Sequence, residues 1–255
     1  MRVALKFAYD GSRFYGYARQ PNFKTVEEEL IKAFIKHGFI EDTKDSVLRS
    51  ASRTDKHVSA FGNVISFNTS DSKRAILHKL SDEFEDIIVF GAIDVKPDFN
   101  PRYAKYRTYR YYLNVKDLDV SKIISASSAF TGEHNFSNFA RVEPFKDPVR
   151  IIDNIVFSEI GSYLLIDFYA QTFLWNQIRR IISALEKVGK GKLERENIVE
   201  ALCNPDKLFD FGLAPAEPLI LKDIVYEFDF KYSKKLLTKL ENLKKRILNN
   251  LNIWI

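Results

Sequence analysis

The sequence predicts an α+β fold built from two similar-sized lobes that share or abut a sheet. Three observations lead there. Strand-like and helix-like stretches mix along the 255 residues without the regular βαβ alternation of a parallel sheet. Pro97 and Pro101 punctuate the chain and mark residues 96–101 as a boundary between halves. Apolar residues make up 45% of the chain and charged residues 29%, enough apolar material to bury a sizeable core.

Residues 3–9 (VALKFAY) alternate as a half-buried strand, which Asp10-Gly11 ends as a turn. Thr25-x-x-Glu28 reads as a capping box opening a helix with Val26, Leu30, Ala33 and Phe34 on its apolar side. Strands are expected near Asn63–Phe67 and Ile87–Ile93, with a helix between them carrying Lys73, Ile76, Leu77, Lys79 and Leu80. Beyond the boundary come a Tyr-rich strand (about 105–114) and a short helix (about 119–130). Val149–Glu159 and Tyr163–Ala170 read as a strand pair joined at Gly161-Ser162. A helix is expected from about Phe173, with Leu174, Ile178, Ile181, Ile182 and Leu185 at helical spacing, stopping near Gly189-Lys190-Gly191. Glu194–Cys203 reads as a further helix and Ile220–Phe228 as the last strand. Leu236, Leu240, Leu243 and Ile247 then recur between lysines as a basic amphipathic helix, read as packing on the body, with a dimer or RNA contact as the alternative. The expected division is 1–98, 99–230 and a basic C-terminal helix over 231–255.

Composition excludes several classes. The longest apolar run, Ile87 to Ile93, is far short of the roughly 20 residues of a membrane span. Asp10 interrupts the N-terminal stretch before a signal-peptide core could form. Cys203 is the single cysteine, and His37, His57, His78 and His134 show no ligand spacing. A soluble cytoplasmic protein without structural zinc is expected. The net charge of +5 is uneven: residues 231–255 hold seven Lys/Arg and one Glu, which leaves the body near neutral. A nucleic-acid partner must therefore be argued from local patches.

Three stretches could carry chemistry. Between Ser46 and Ser70 the only carboxylate is Asp55, set among Arg49, Arg53 and Lys56 in a small, polar segment that runs into a strand. Two readings stay open: a turn-forming or ion-paired aspartate, or a carboxylate nucleophile or base kept ionised by nearby cations. Arg102 to Tyr112 (RYAKYRTYRYY) interleaves four cations with five tyrosines, and no acid falls between Asp98 and Asp117. Cations neutralise phosphates while aromatic faces stack on unpaired bases, so the mixture suits RNA; an ordinary Tyr-rich strand has the same composition. On the helix after Phe173, Arg179 lies near the apolar edge and Arg180 further towards solvent. A partly buried arginine has a carboxylate partner or snorkels along apolar surface.

These stretches, in this order, resemble the tRNA pseudouridine synthase A (TruA) family over most of residues 1–230. Ser52-Arg53-Thr54-Asp55-Lys56-His57-Val58-Ser59-Ala60 is similar to its G-R-T-D-x-G-V-x-A signature. Tyr9-Asp10-Gly11 through Phe14-x-Gly16, with Gln20-Pro21 and Thr25-Val26, resembles the opening Y-D-G-x-x-F-x-G block. Arg107-Thr108-Tyr109-Arg110-Tyr111 resembles K-T-Y-R-Y, and Gly132 to Phe139 resembles G-x-H-D-F-x-x-F. Phe173-Leu174 through Ile182 is similar to F-L-x-x-M-V-R-x-I-V, and Leu213 to Ala216 to a late A-P-P segment. Six blocks in order make a specific match.

The resemblance implies a pseudouridine synthase fold: two RRM-like, ferredoxin-like lobes, a continuous largely antiparallel sheet flanked by helices, and a basic cleft between the lobes. It implies a cofactor-free, metal-free isomerase, usually homodimeric, that converts uridine to pseudouridine in the anticodon arm of tRNA. Asp55 corresponds to the catalytic aspartate, Arg179 to its ion-pair partner and Tyr109 to the ring packed on the target uracil. Arg53, Lys56, Arg107, Arg110 and Tyr111 are the further candidates for RNA contact. Ser52, His57 and Pro218 replace family glycines, while Lys56 and Ser59 look closer to archaeal and eukaryotic members. Histidine at position 57 carries a cost if the loop needs a positive φ there. The competing class is a non-catalytic RNA-binding protein of two RRM-like lobes, which has no use for Asp55 or Arg179.

Overall fold

The computed structural model describes residues 1–253; Trp254 and Ile255, the end of the expected C-terminal helical segment, lie outside the described residues. The chain runs β1 (Arg2–Tyr9), α1 (Val26–Lys36), β2 (Arg49–Ser50), β3 (Ser59–Asn68), α2 (Lys73–Leu80) and β4 (Ile87–Val95). Then come β5 (Tyr106–Asn114), α3 (Val120–Ser127), β6 (Gly132–Asn135), β7 (Val149–Ile152), β8 (Asn154–Ile160) and β9 (Tyr163–Ala170). Helices α4 (Gln177–Gly189) and α5 (Arg195–Cys203), strands β10 (Leu219–Val225) and β11 (Lys231–Tyr232), and helix α6 (Lys234–Asn250) complete it. The fold is α+β, with mostly antiparallel strand pairing and flanking helices.

The chain divides into two units that differ from the expected 1–98 and 99–230. The first joins Met1–Lys105 to Ile220–Ile255, and the second is Tyr106–Leu219. The reason is strand pairing: β10 runs parallel to β3, with Ile220 opposite Ser59 and Leu221 opposite Ala60. The C-terminal helix belongs with them, because α6 packs on β4 and β3.

In the first unit the strands lie in the order β11-β4-β1-β3-β10, with β2 also paired to β3. The alternation in β1 predicts one wet face, yet all eight of its residues are buried. Its second face is covered by the returning chain. Lys6 meets the Asp223 carboxylate at 2.5 Å and lies 5.3 Å from the Phe230 ring centroid, so a buried cation is paired as burial requires. Arg2 likewise donates to the Phe99 and Val47 carbonyls and to Asn68 and Ser66.

The capping box expected at Thr25 is not formed: α1 begins after Thr25, but its side chain makes no cap hydrogen bond. The first amides of the helix are satisfied instead by backbone, Val26 N–H on the Gly16 carbonyl (3.3 Å) and Glu27 N–H on the Tyr17 carbonyl (3.0 Å). That arrangement ties α1 to the turn following β1.

In the second unit β5, β9 and β8 form an antiparallel run, and β6 pairs with β7. The single strand expected over 149–159 is therefore two, since β7 pairs with β6 and β8 with β9. The helix expected from Phe173 starts four residues later. Asn176 is left-handed (φ +62°), which no α-helical residue can be, and the Gln177 side chain accepts from Leu174 N–H at 2.8 Å. Leu174 and Trp175 thus stand on a loop before α4.

Candidate active site

Asp55 sits where two antiparallel strands reverse. Arg49 and Ser50 pair with Ser66 and Ile65, so residues 51–58 must turn back to enter β3. The base of the loop is pinned by Ala51 N–H on the Val64 carbonyl (2.9 Å) and the Asn63 side chain on the Ser52 carbonyl (3.0 Å). Val58 N–H reaches the Asp55 carbonyl at 3.2 Å and closes the turn, with His57 at φ +69°. The chain does need the left-handed conformation there, at the position where the family signature has glycine.

A second segment, residues 9–17, clamps this loop. Tyr9 Oη and Thr54 Oγ1 share a buried hydrogen bond of 2.7 Å, and Tyr17 N–H donates to the Thr54 carbonyl at 3.1 Å. Gly11 N–H donates to Ser59 Oγ at 2.9 Å, and a Cβ on Gly11 would lie 2.2 Å from the Val58 carbonyl oxygen. Gly16 takes φ +94° with its Cα facing Lys56 N. The two glycines of the opening block are there because backbone passes against backbone. Sequence reasoning placed both blocks but missed that one holds the other.

Asp55 is half-buried at the tip, while Arg53 and Lys56 are exposed on either side of it. Lys56 Nζ stands 4.1 Å from the Tyr15 ring centroid. Tyr15 and Phe23 pair at 4.5 Å and both remain exposed, an aromatic surface beside the loop that single scattered aromatics did not announce in the sequence. Such a cation-and-ring surface is the chemistry that meets unpaired nucleotides.

In the second unit Tyr109 is central in β5, opposite Phe168, with its ring edge-on to Phe173 at 5.4 Å. The neighbouring candidates work inward. Arg107 is only 5% exposed and donates to the Gln171 carbonyl. Arg110 makes a two-pronged contact with Asp167, Nε to Oδ1 at 2.6 Å and Nη2 to Oδ2 at 2.7 Å, which holds its guanidinium well above the usual proton affinity. Tyr111 is buried with its hydroxyl on the Pro215 carbonyl, and burial, with Glu186 next, pushes that phenol up. These three are occupied within their own unit, and β5 is largely buried on both faces.

Arg179, in the first turn of α4, is half-buried. Its Nε donates to the Ala214 carbonyl at 2.8 Å and its own carbonyl accepts from Ala214 N–H at 3.1 Å. Two of the resembling blocks therefore hold each other. Arg180, read from the sequence as the more outward of the pair, is half-buried like Arg179, with Asp210 at 3.5 Å. Among the described residues no three His, Cys, Asp or Glu side chains gather as metal ligands, and no helix is long and apolar enough to cross a membrane.

The loop thus presents one half-buried acid between two exposed cations, clamped by glycines, and comparison with known proteins gives the family of the chain. Residues 126–227 match the tRNA pseudouridine synthase family. A tRNA pseudouridine synthase A of Thermococcus sibiricus is 45% identical over 228 residues, covering 89% of this chain and 85% of that protein. The Pyrococcus abyssi protein of the same name is 43% identical across 100% of this chain and 98% of its own. That of Methanosphaera stadtmanae is 39% identical over 97% and 93%. The chain belongs to the tRNA pseudouridine synthase A family, and the binding-only reading is not favoured.

Proposed function

We propose that Asp55 is the carboxylate through which this synthase isomerises uridine to pseudouridine in the anticodon stem-loop of tRNA. The observation that carries the reading is a half-buried carboxylate at the tip of a loop clamped by Gly11 and Gly16, with Arg53 and Lys56 on either side. The reaction breaks the N1–C1′ bond, turns the uracil and joins C5 to C1′; C5 gives up a proton and N1 gains one. No electrons are gained or lost overall, so a route without a cofactor balances. The nucleotide must first leave its stack, at a cost of a few kcal/mol. Attack at C1′, attack on the uracil ring and removal of a sugar proton each use Asp55 as a carboxylate.

The roles of Arg179 as the guanidinium that aims Asp55, and of Tyr109 as the ring that limits the freed base, belong to the same proposal and rest on the sequence resemblance. Arg53 and Lys56 take the phosphate contacts. Arg107, Arg110 and Tyr111, drawn inward by Gln171, Asp167 and Pro215, shape the strand that bears Tyr109. A cytoplasmic homodimer completes the reading; it too rests on the resemblance, and sedimentation of the purified protein tests the dimer.

The deciding experiment is position-resolved pseudouridine mapping on unmodified tRNA transcripts, without added cofactor. Wild-type protein forms pseudouridine in the anticodon arm. Asp55→Asn binds the same transcript nearly normally and forms none. Product from that variant would overturn the assignment.

A further inference from the structure

Helix α6 lies beyond the residues that resemble the family signature, and the reaction above makes no use of it. One of its cations nevertheless reaches the machinery that holds Asp55. Arg246 Nη2 donates to Asp86 Oδ1 at 2.8 Å and to the Glu85 carbonyl at 3.3 Å. Its Nε faces Asp10 Oδ2 at 4.0 Å. Both of those atoms are buried and neither makes a hydrogen bond. Asp10 itself is 2% exposed, so its carboxylate is withdrawn from water and Arg246 is the cation facing its otherwise unsatisfied oxygen.

From Asp10 the connection to the loop is short. Its Oδ1 accepts from Ser12 N–H (3.0 Å) and Ser12 Oγ (2.6 Å), which sets the turn, and its own N–H donates to the Asp86 carbonyl (3.0 Å). The next residue is Gly11, whose N–H holds Ser59 and whose Cα lies against Val58; Val58 N–H holds the Asp55 carbonyl. All of these residues belong to the first unit.

We propose that Arg246 is a positioning residue for Asp55: the C-terminal helix supplies a guanidinium that bridges Asp10 to Asp86, which Arg13 Nε also faces at 4.0 Å, and so fixes the turn against which the catalytic loop is seated. The inference rests on the reading of Asp55 given above. A fixed turn matters because a displacement of about 1 Å at a reacting group costs up to roughly a hundredfold in rate.

The test compares Arg246→Met, Arg246→Lys and, one residue away and exposed on the same helix, Lys245→Gln. Two quantities are read on the full chain: steady-state kcat and KM for tRNA transcript, and amide hydrogen exchange at Gly11, Ser12 and Val58. Arg246→Met is expected to lower kcat roughly tenfold with KM within about twofold, a loss of geometry rather than of binding. The three amides exchange faster while β1 and the rest of α6 keep wild-type rates. Arg246→Lys, which keeps the charge but not the fork, recovers part of both, and Lys245→Gln changes neither. Wild-type kcat and exchange in Arg246→Met would overturn the proposal, as would faster exchange spread evenly over α6 and β1. If wild-type protein forms no pseudouridine but the exchange pattern still changes as described, the reading of Asp55 fails while the coupling of α6 to the turn stands.

Discussion

His57 shows what one position costs when its neighbours leave it no choice. The turn after Asp55 holds it at φ +69°, where a side chain is disfavoured by about 1–2 kcal/mol, and glycine would lose part of that gain to its own chain entropy. His57→Gly is therefore expected to raise stability by about 0.5–1 kcal/mol, read as a higher urea midpoint at unchanged slope. Gly11 is the opposite case. A methyl group there points at the Val58 carbonyl oxygen from 2.2 Å, so Gly11→Ala should cost about 1–3 kcal/mol and lower turnover as the loop shifts. Denaturant titration and kcat, measured together, check both effects. The proposed chemical centre stands out at this scale because Asp55 is the only acid between Ser46 and Ser70 and sits among cations. What surrounds it was less legible: nothing in the order Tyr9-Asp10-Gly11 says that Gly11 will face residue 58.

At the scale of elements, α6 docks through ion pairs as well as leucines. Lys239 donates to the Asp82 carboxylate and, at 2.7 Å, to the Ser81 carbonyl, just past α2. The Lys239 hydrogen bond, with Ser81 next, lowers the Asp82 carboxyl from its usual 3.8 to about 2. A carboxylate whose folded pKa is depressed stabilises the fold above the ordinary value and loses that contribution as pH falls through the lowered one. The docking contribution of this pair is thus complete above about pH 4 and gone below about pH 2. It is a small one, since the pair is exposed. Lys239→Met should flatten that part of the acid-unfolding curve and leave neutral pH almost untouched. Element boundaries were read well where a period was long, as in β9 and α2. They failed where a single side chain overrode the period: the helical spacing through Leu174 continues on paper, but Asn176 and the Gln177 side chain stop it. The polar strand β6 and the two-residue β2 carry no period to read.

At the scale of the whole chain, the two units are not consecutive pieces. The first is written at both ends of the sequence, with residues 106–219 set into it. Pattern reasoning divides a chain at punctuation and has no means of knowing that Ile220 returns to lie beside Ser59, because strand pairing at that distance leaves no local trace. A chain ending at residue 219 would strip β3 of its parallel partner and Lys6 of Asp223 and Phe230. It should lose cooperative unfolding of the first unit, seen as loss of amide protection in β1 and β3. The same layout sets a timetable on the ribosome. Asp55, the proposed catalytic aspartate, is translated well before Ile220, yet its unit closes only once the strands and helix beyond residue 219 have emerged. At about 5–20 residues per second that interval is on the order of ten seconds. Through it, the apolar edge of β3 is exposed in the nascent chain, where chaperones rather than the protein's own contacts must keep it from pairing elsewhere.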